Sequence, residues 1–407
     1  VWLSDLGEVE VPMGSVRKFG DTGVRLGAVA LLALLIAGCG DAAQTFATRP
    51  PAAIASSVRV VVPDSSAAIS SGGPRATAAA VTVDKITVTY TYKDALITPI
   101  AHLYGTILDD FVIATIVNHN TASVKVVVAS EISGFTDTAT DTATVAAGAT
   151  QEVRQNPRLT TAAIDSLSSQ KEADLHVVVS YLDNGQPRTV LDQTNQTLVT
   201  SRRDFPWTIK GMTEQEDYNL IAAMVTPTDP GVEQLIRSAA NYDPNGVMTS
   251  GYDSQGDSSG SVEQRLTDVW QAEDANYHLT YIGTTDSFAS TSSQRIRLPA
   301  EVLDQSSGNC IELTLLYASV VEALGMQPSI VFIPGHAYVA VRVDGTGDSY
   351  YFIETTMIGH NTFSEAVSEG LTEWDNASAS VNAGDAQYGW VDVAAERADG
   401  VLPIPWH

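Results

Sequence analysis

Ser306-Ser-Gly-Asn-Cys310 leads straight into Ile311-Glu-Leu-Thr-Leu-Leu-Tyr-Ala-Ser-Val-Val-Glu-Ala-Leu324, which Gly325 closes. Ile311, Leu315, Ala318 and Val321 recur at helical spacing, so the run reads as a helix with Gly325 just past its end. A glycine turn thus delivers Cys310 to a helix N-terminus, where the partial positive charge of the aligned peptide dipoles favours thiolate over thiol. Two apolar, strand-like runs follow, Ser329-Ile-Val-Phe-Ile333 and Ala337-Tyr-Val-Ala-Val-Arg-Val343, and His336 opens the second behind Pro334-Gly335. A third, Tyr350-Tyr-Phe-Ile-Glu-Thr355, carries Glu354. If 344–348 form a hairpin turn, a three-residue loop sets Glu354 opposite His336. A five-residue loop makes them diagonal neighbours on one face, and a four-residue loop separates them onto opposite faces.

The order cysteine, histidine, acid resembles the transglutaminase-like superfamily, whose α+β fold is papain-like. Gly308-Asn309-Cys310, Pro334-Gly335-His336-Ala337 and Glu354-Thr355 stand where the motifs of that family stand. Two positions depart from it: Asn309 replaces an acid common before the cysteine, and Glu354 replaces the more usual Asp. The resemblance covers residues 204–407 and implies a catalytic triad of Cys310, His336 and Glu354. No cofactor and no metal are expected.

In that chemistry a neutral imidazole takes the thiol proton, and a carboxylate on the far ring nitrogen fixes the tautomer and stabilises imidazolium. The thiolate attacks an amide carbonyl, with the Cys310 backbone N–H as one oxyanion donor and Gln294 as a candidate second. His336 then protonates the leaving amine, and water or a second amine resolves the thioester. Hydrolysis is the expected outcome, because an open surface site admits water. The alternative is a transglutaminase-like module that has lost turnover and holds peptides. Asn361 and Asp375 are fallback orienting residues; His278, His360 and His407 have no comparable context.

Upstream, the texture changes at Phe205-Pro-Trp207. Beyond it, 217–225, 229–239 and 262–272 read as helices, the second opened by Asp229-Pro230. Asp253 and Asp257 are spaced in a polar loop that lacks the EF-hand pattern, so a plain loop is expected rather than calcium. From 81 to 203 short alternating runs dominate, among them Val81-Thr-Val-Asp-Lys-Ile-Thr-Val-Thr-Tyr90, with a hairpin signal at Asp183-Asn184-Gly185. This pattern predicts an all-β immunoglobulin-like sandwich of about seven strands. His102, His119 and His176 are scattered there without metal-ligand spacing.

Residues 40–80 are rich in Ala, Ser, Pro and Gly and read as a flexible linker. Before them Arg17, Lys18 and Arg25 precede an eleven-residue apolar run, Leu26 to Ile36. That is too short to span roughly 30 Å of hydrocarbon as a helix. Ile36-Ala37-Gly38-Cys39 resembles a bacterial lipobox, which makes 1–39 a lipoprotein signal peptide, Met13 its natural start and Cys39 the lipidated residue. The 407 residues are 44% hydrophobic, enough to core two domains. Asp and Glu number 48 against 22 Lys and Arg, and the resulting −26 argues against nucleic acid as a partner. Two cysteines, Cys39 and Cys310, exclude a disulfide scaffold. The expectation is an exported protein, lipid-anchored to the bacterial cell envelope, acting on peptides or proteins.

Overall fold

The computed structural model describes Arg17–Lys18 and residues 75–405, apart from 210–211, 213, 250, 254–257, 284–292 and 346–348. Cys39 and the stretch expected to be a lipobox, the rest of the expected linker up to residue 74, Asp257 and His407 lie outside the described residues. Among the described residues no helix is long and apolar enough to cross a membrane.

The chain is mixed α and β. Residues 76–199 form two five-stranded sheets. One holds Ala76–Thr77, Val81–Val83, Ile86–Tyr92, Val112–Asn118 and Thr150–Gln155; the other Ala95–Leu96, Val124–Ile132, Ala139–Val145, Lys171–Asp183 and Gln186–Val199. Alternate side chains of Ile86–Tyr92, Val112–Asn118 and Lys171–Asp183 point into a shared core, as their period-two patterning requires. The alternating run at 81–90 is not one strand. Asp84 and Lys85 both adopt positive φ, 48° and 62°, and fold it into a two-residue hairpin that pairs Val83 with Ile86. Positive φ at both turn residues matches the twist of the flanking strands, and an Asp at the first position tolerates it. Asn184-Gly185 forms the same kind of turn between the two longest strands.

Beyond the sandwich, Asp204–Pro206 pairs with Ser293–Arg295 as a short ribbon. Phe205 and Trp207, which mark the change of sequence texture, are buried, and one continuous apolar core runs past them. Arg202 and Arg203 both hydrogen-bond Glu301, at 2.5 and 2.9 Å, and His102 Nε2 lies 2.7 Å from the Leu402 carbonyl. The sandwich and the C-terminal part therefore make one compact unit.

The C-terminal sheet is antiparallel in the order Arg17–Lys18, Ser349–Ile353, His336–Arg342, Pro328–Ile333, Gly389–Asp392. Helix Cys310–Ala323 covers the face bearing Ile330, Ala337, Val339 and Ile353. Helix Phe363–Ala383 covers the other, placing Trp374 among Val331, Tyr338, Ala340 and Phe352. Burial on both faces explains why these strands read as unbroken apolar runs rather than as alternation. Gly370 lets the second helix come close: a Cβ there would lie 2.7 Å from the Phe352 backbone. Of the expected helices, Pro230–Ala239 is capped by Asp229, whose side chain accepts from the Gly231 N–H at 2.7 Å.

Candidate active site

Cys310 is the first residue of its helix and is half-buried. Gly308 just before it packs against Leu313 and Val302, where a Cβ would come within 2.9 Å of the Leu313 side chain. Asn309 is the N-cap: its side chain accepts from the Glu312 N–H at 3.0 Å, and Glu312 accepts from the Asn309 N–H at 3.1 Å. This reciprocal box leaves the Cys310 N–H without an intrahelical acceptor. Asn in place of an acid keeps the cap without placing a negative charge beside the thiol. Glu312 also receives the Arg297 backbone N–H and side-chain Nε, each at 2.9 Å, and the far guanidinium nitrogen at 2.5 Å. The turn that presents Cys310 is thus clamped by a buried ion pair.

His336 opens its strand, and Glu354 caps a short 3₁₀ turn one residue past the end of the next. Val339 pairs with Ile353 and Arg342 with Tyr350, and the Val343 N–H bonds the Ser349 carbonyl at 2.9 Å. That is the five-residue-loop register, which makes His336 and Glu354 diagonal neighbours on one face. Diagonal Cβ atoms stand roughly 7–8 Å apart, a span for which the extra methylene of Glu over Asp is suited. The contact is made: His336 Nε2 lies 2.6 Å from Glu354 Oε2. The other Glu354 oxygen accepts from the Thr356 N–H at 2.9 Å and from its hydroxyl. With Nε2 so committed, Nδ1 is the remaining ring nitrogen.

Burial alone would push the His336 pKa down. Its bond to Glu354 and the proximity of Cys310 overcome that and raise it to about 10. Glu354 shows the reverse balance, because burial pushes it up and the bond from His336 brings it below the usual carboxylate range.

Four participants were not anticipated from the sequence. Thr314, one turn below Cys310, donates to the Ala337 carbonyl at 3.1 Å and lies 3.2 Å from the Thr355 hydroxyl, tying together the three segments that carry the triad. Tyr281 stands at the mouth, 39% exposed. Burial chiefly raises its pKa, and the charges of Cys310 and Glu354 add to that. It is placed by parallel pairing of Thr280–Tyr281 with Ser307–Gly308. Tyr338 is buried beside His336, their rings 6.2 Å apart. Glu373, from helix Phe363–Ala383, has Oε2 3.8 Å from His336 Nε2. Only the Asn-x-x-Glu box at 309–312 had a local signature; the rest depend on tertiary packing.

Gln294 is packed against Trp207. It is buried, and its carbonyl oxygen accepts the Trp207 indole N–H at 2.8 Å in an aromatic cluster with Phe205 and Phe332. Of the fallback residues, the Asn361 backbone carbonyl accepts from the Trp270 indole at 3.2 Å, and Asp375 is exposed. Of the other histidines, His176 pairs with Asp192 at 2.8 Å and His119 lies 3.2 Å from the Thr87 hydroxyl. Donor atoms of His336, Glu354 and Glu373 fall within 4.8 Å of one another, close enough for a cation. Two of these atoms, His336 Nε2 and Glu354 Oε2, bond each other at 2.6 Å. A polar cleft of about 580 Å³ lined by Trp270, Asp274, His360 and Glu365 includes none of the triad.

No family model and no curated protein matches the chain. Among solved structures, a protein from Archaeoglobus fulgidus aligns at 8% identity over 31% of this chain and 95% of its own, with a TM-score of 0.19. The exo-chitosanase CsxA of Amycolatopsis orientalis aligns at 11% identity over 61% of this chain and 31% of its own, with a TM-score of 0.16. Likeness that slight carries no functional argument.

Proposed function

We propose that the protein is a transglutaminase-like thiol enzyme acting on amide bonds of peptides or proteins, carried behind an immunoglobulin-like sandwich and anchored to the bacterial envelope through Cys39. What supports this is His336 Nε2 standing 2.6 Å from Glu354, with Cys310 at a helix N-terminus near enough to help raise the imidazole pKa. The Cys310 thiolate attacks the amide carbon, and the Cys310 N–H at the helix start receives the oxyanion. His336 gives its proton to the leaving amine, and the C–N bond breaks to leave a thioester. Water, deprotonated by the now neutral imidazole, releases the acid and restores the thiolate–imidazolium pair. Glu354 holds the ring and offsets its charge throughout. The half-buried Cys310 beside the exposed Tyr281 favours an extended substrate and ready access for water.

A peptide pool incubated in ¹⁸O-water tests this. Wild type should insert one labelled oxygen at each hydrolysed amide and show an acyl adduct on Cys310, and Cys310→Ala neither. Peptide binding by wild type without labelled product or adduct would establish the binding-module reading instead.

A further inference from the structure

Glu373 enters the site from a helix that the triad does not use. Its Oε2 is buried and receives no N–H or O–H from the described residues, and His336 Nε2 is 3.8 Å away, beyond hydrogen-bond reach. The group it does meet is the Glu354 carboxyl, an oxygen of which lies within 4.8 Å of one of its own. Two carboxyls bond each other only when one carries the proton, and like charges in a buried pair cannot both ionise without a large cost. Glu354 is fixed as the ionised member by His336 and Thr356. Glu373 is then the neutral one.

We propose that Glu373 is a positioning residue of this site: as a neutral acid it donates a hydrogen bond to the Glu354 carboxylate and holds it against the imidazole. The inference rests on the thiol-enzyme reading above. Close packing at Gly370, one turn earlier, delivers Glu373 to the strand end. The groups facing it are Glu369 from its own helix, Glu354 from the 3₁₀ turn, and His336 and Tyr338 from the strand. Among the described residues no Lys or Arg pairs with it. The Tyr338 hydroxyl is buried without a partner near the same two carboxyls. Burial, then the charge of Glu354, raises the Glu373 pKa to about 8 against the opposing pull of His336. Above that pH the proton leaves to solvent, two carboxylates face one imidazolium, and Glu354 loses a donor.

The test follows Cys310 alkylation by iodoacetamide, together with the ¹⁵N resonances of the His336 ring, across pH. Wild type should show an inflection near pH 8 in both, and Glu373→Gln, which still donates but cannot ionise, should lack it. Glu373→Ala should alkylate about tenfold more slowly at neutral pH, the order expected for one lost hydrogen bond to a charged group, and Glu373→Gln should recover most of that rate. A wild-type His336 resonance with no inflection near pH 8 overturns the proposal without needing any variant, as does an alanine variant indistinguishable from glutamine. If alkylation does not depend on His336 at all, the thiol-enzyme reading fails instead, and the two failures are separable.

Discussion

Gly370→Ala sets local propensity against packing, and the contacts decide the sign. Alanine in the middle of a helix is favoured over glycine by about 1 kcal/mol. Against that, the new Cβ would stand 2.7 Å from the carbonyl carbon and oxygen of Phe352 and 2.8 Å from the Ile353 nitrogen. All three are backbone atoms in a paired strand and have no rotamer by which to move away. Restoring ordinary contact requires the helix to retreat by about 0.7 Å, a gap that forfeits a quarter to a half of each dispersion contact it opens. Phe363, Ala366, Val367 and Trp374 all pack through that interface. Overpacking of this kind costs about 1–3 kcal/mol, and backbone obstruction puts it toward the upper end. The net expectation is a loss of about 1–2 kcal/mol. Urea denaturation followed by tryptophan fluorescence reports it, since Trp374 stacks on Phe352 at 4.8 Å. Ser368→Ala, exposed on the same helix, is the control for propensity and should be neutral or slightly stabilising. A Gly370→Ala protein as stable as that control refutes the close helix–strand contact, and with it the delivery of Glu373.

Arg297→Met should cost about 3 kcal/mol, because it strands the buried Glu312 carboxylate; equilibrium unfolding measures it, and Cys310 alkylation should slow as the helix start loosens. His336→Ala should change how stability depends on pH. The folded pKa of about 10 exceeds the ordinary 6.5, so the wild-type contribution is complete below pH 6.5 and fades as pH rises to about 10. Glu354 is shifted down, so its share is present above its ordinary 4.5 and lost in acid. Subtracting the variant's unfolding curve from that of wild type should reveal this window, and parallel curves would contradict it. Thr314→Val should slow Cys310 alkylation while leaving the helix content by circular dichroism intact. Cys39→Ser should abolish acyl labelling and membrane fractionation, and a mutant that fractionates as wild type does would refute the lipobox.

Cys310, His336 and Glu354 could be singled out because each sits at a local punctuation mark: Cys310 after a glycine turn, His336 after Pro334-Gly335, Glu354 at the end of an apolar run. Hairpin arithmetic confined the His336–Glu354 pairing to registers that could be enumerated, though choosing the five-residue loop needed the fold. Glu373 was beyond reach for a different reason. It lies on an amphipathic helix rich in acids, where Asp375, two residues on, looks equivalent in sequence but faces solvent. The Trp207 indole that donates to the Gln294 side-chain oxygen was likewise invisible to proximity in sequence, because the pairing is tertiary. In the sandwich, alternation at 81–90 was read correctly as β, and the hairpin inside it was hidden because Asp84-Lys85 carries no glycine. The boundary at Phe205-Pro-Trp207 marked a real change from sheet to mixed structure, but those aromatic residues are buried in a continuous core.

The pH dependence of Cys310 alkylation, compared between wild type and His336→Ala, tests the central claim most directly. In the proposed enzyme His336, whose pKa is raised to about 10, stays protonated and pairs with the sulfur. Wild type should therefore react fast already at about pH 6 and show no steep rise with pH of the kind a free thiol shows. The alanine variant should be slow at that pH and climb as an ordinary cysteine does. Two superimposable curves, both rising as for free cysteine, would contradict the account.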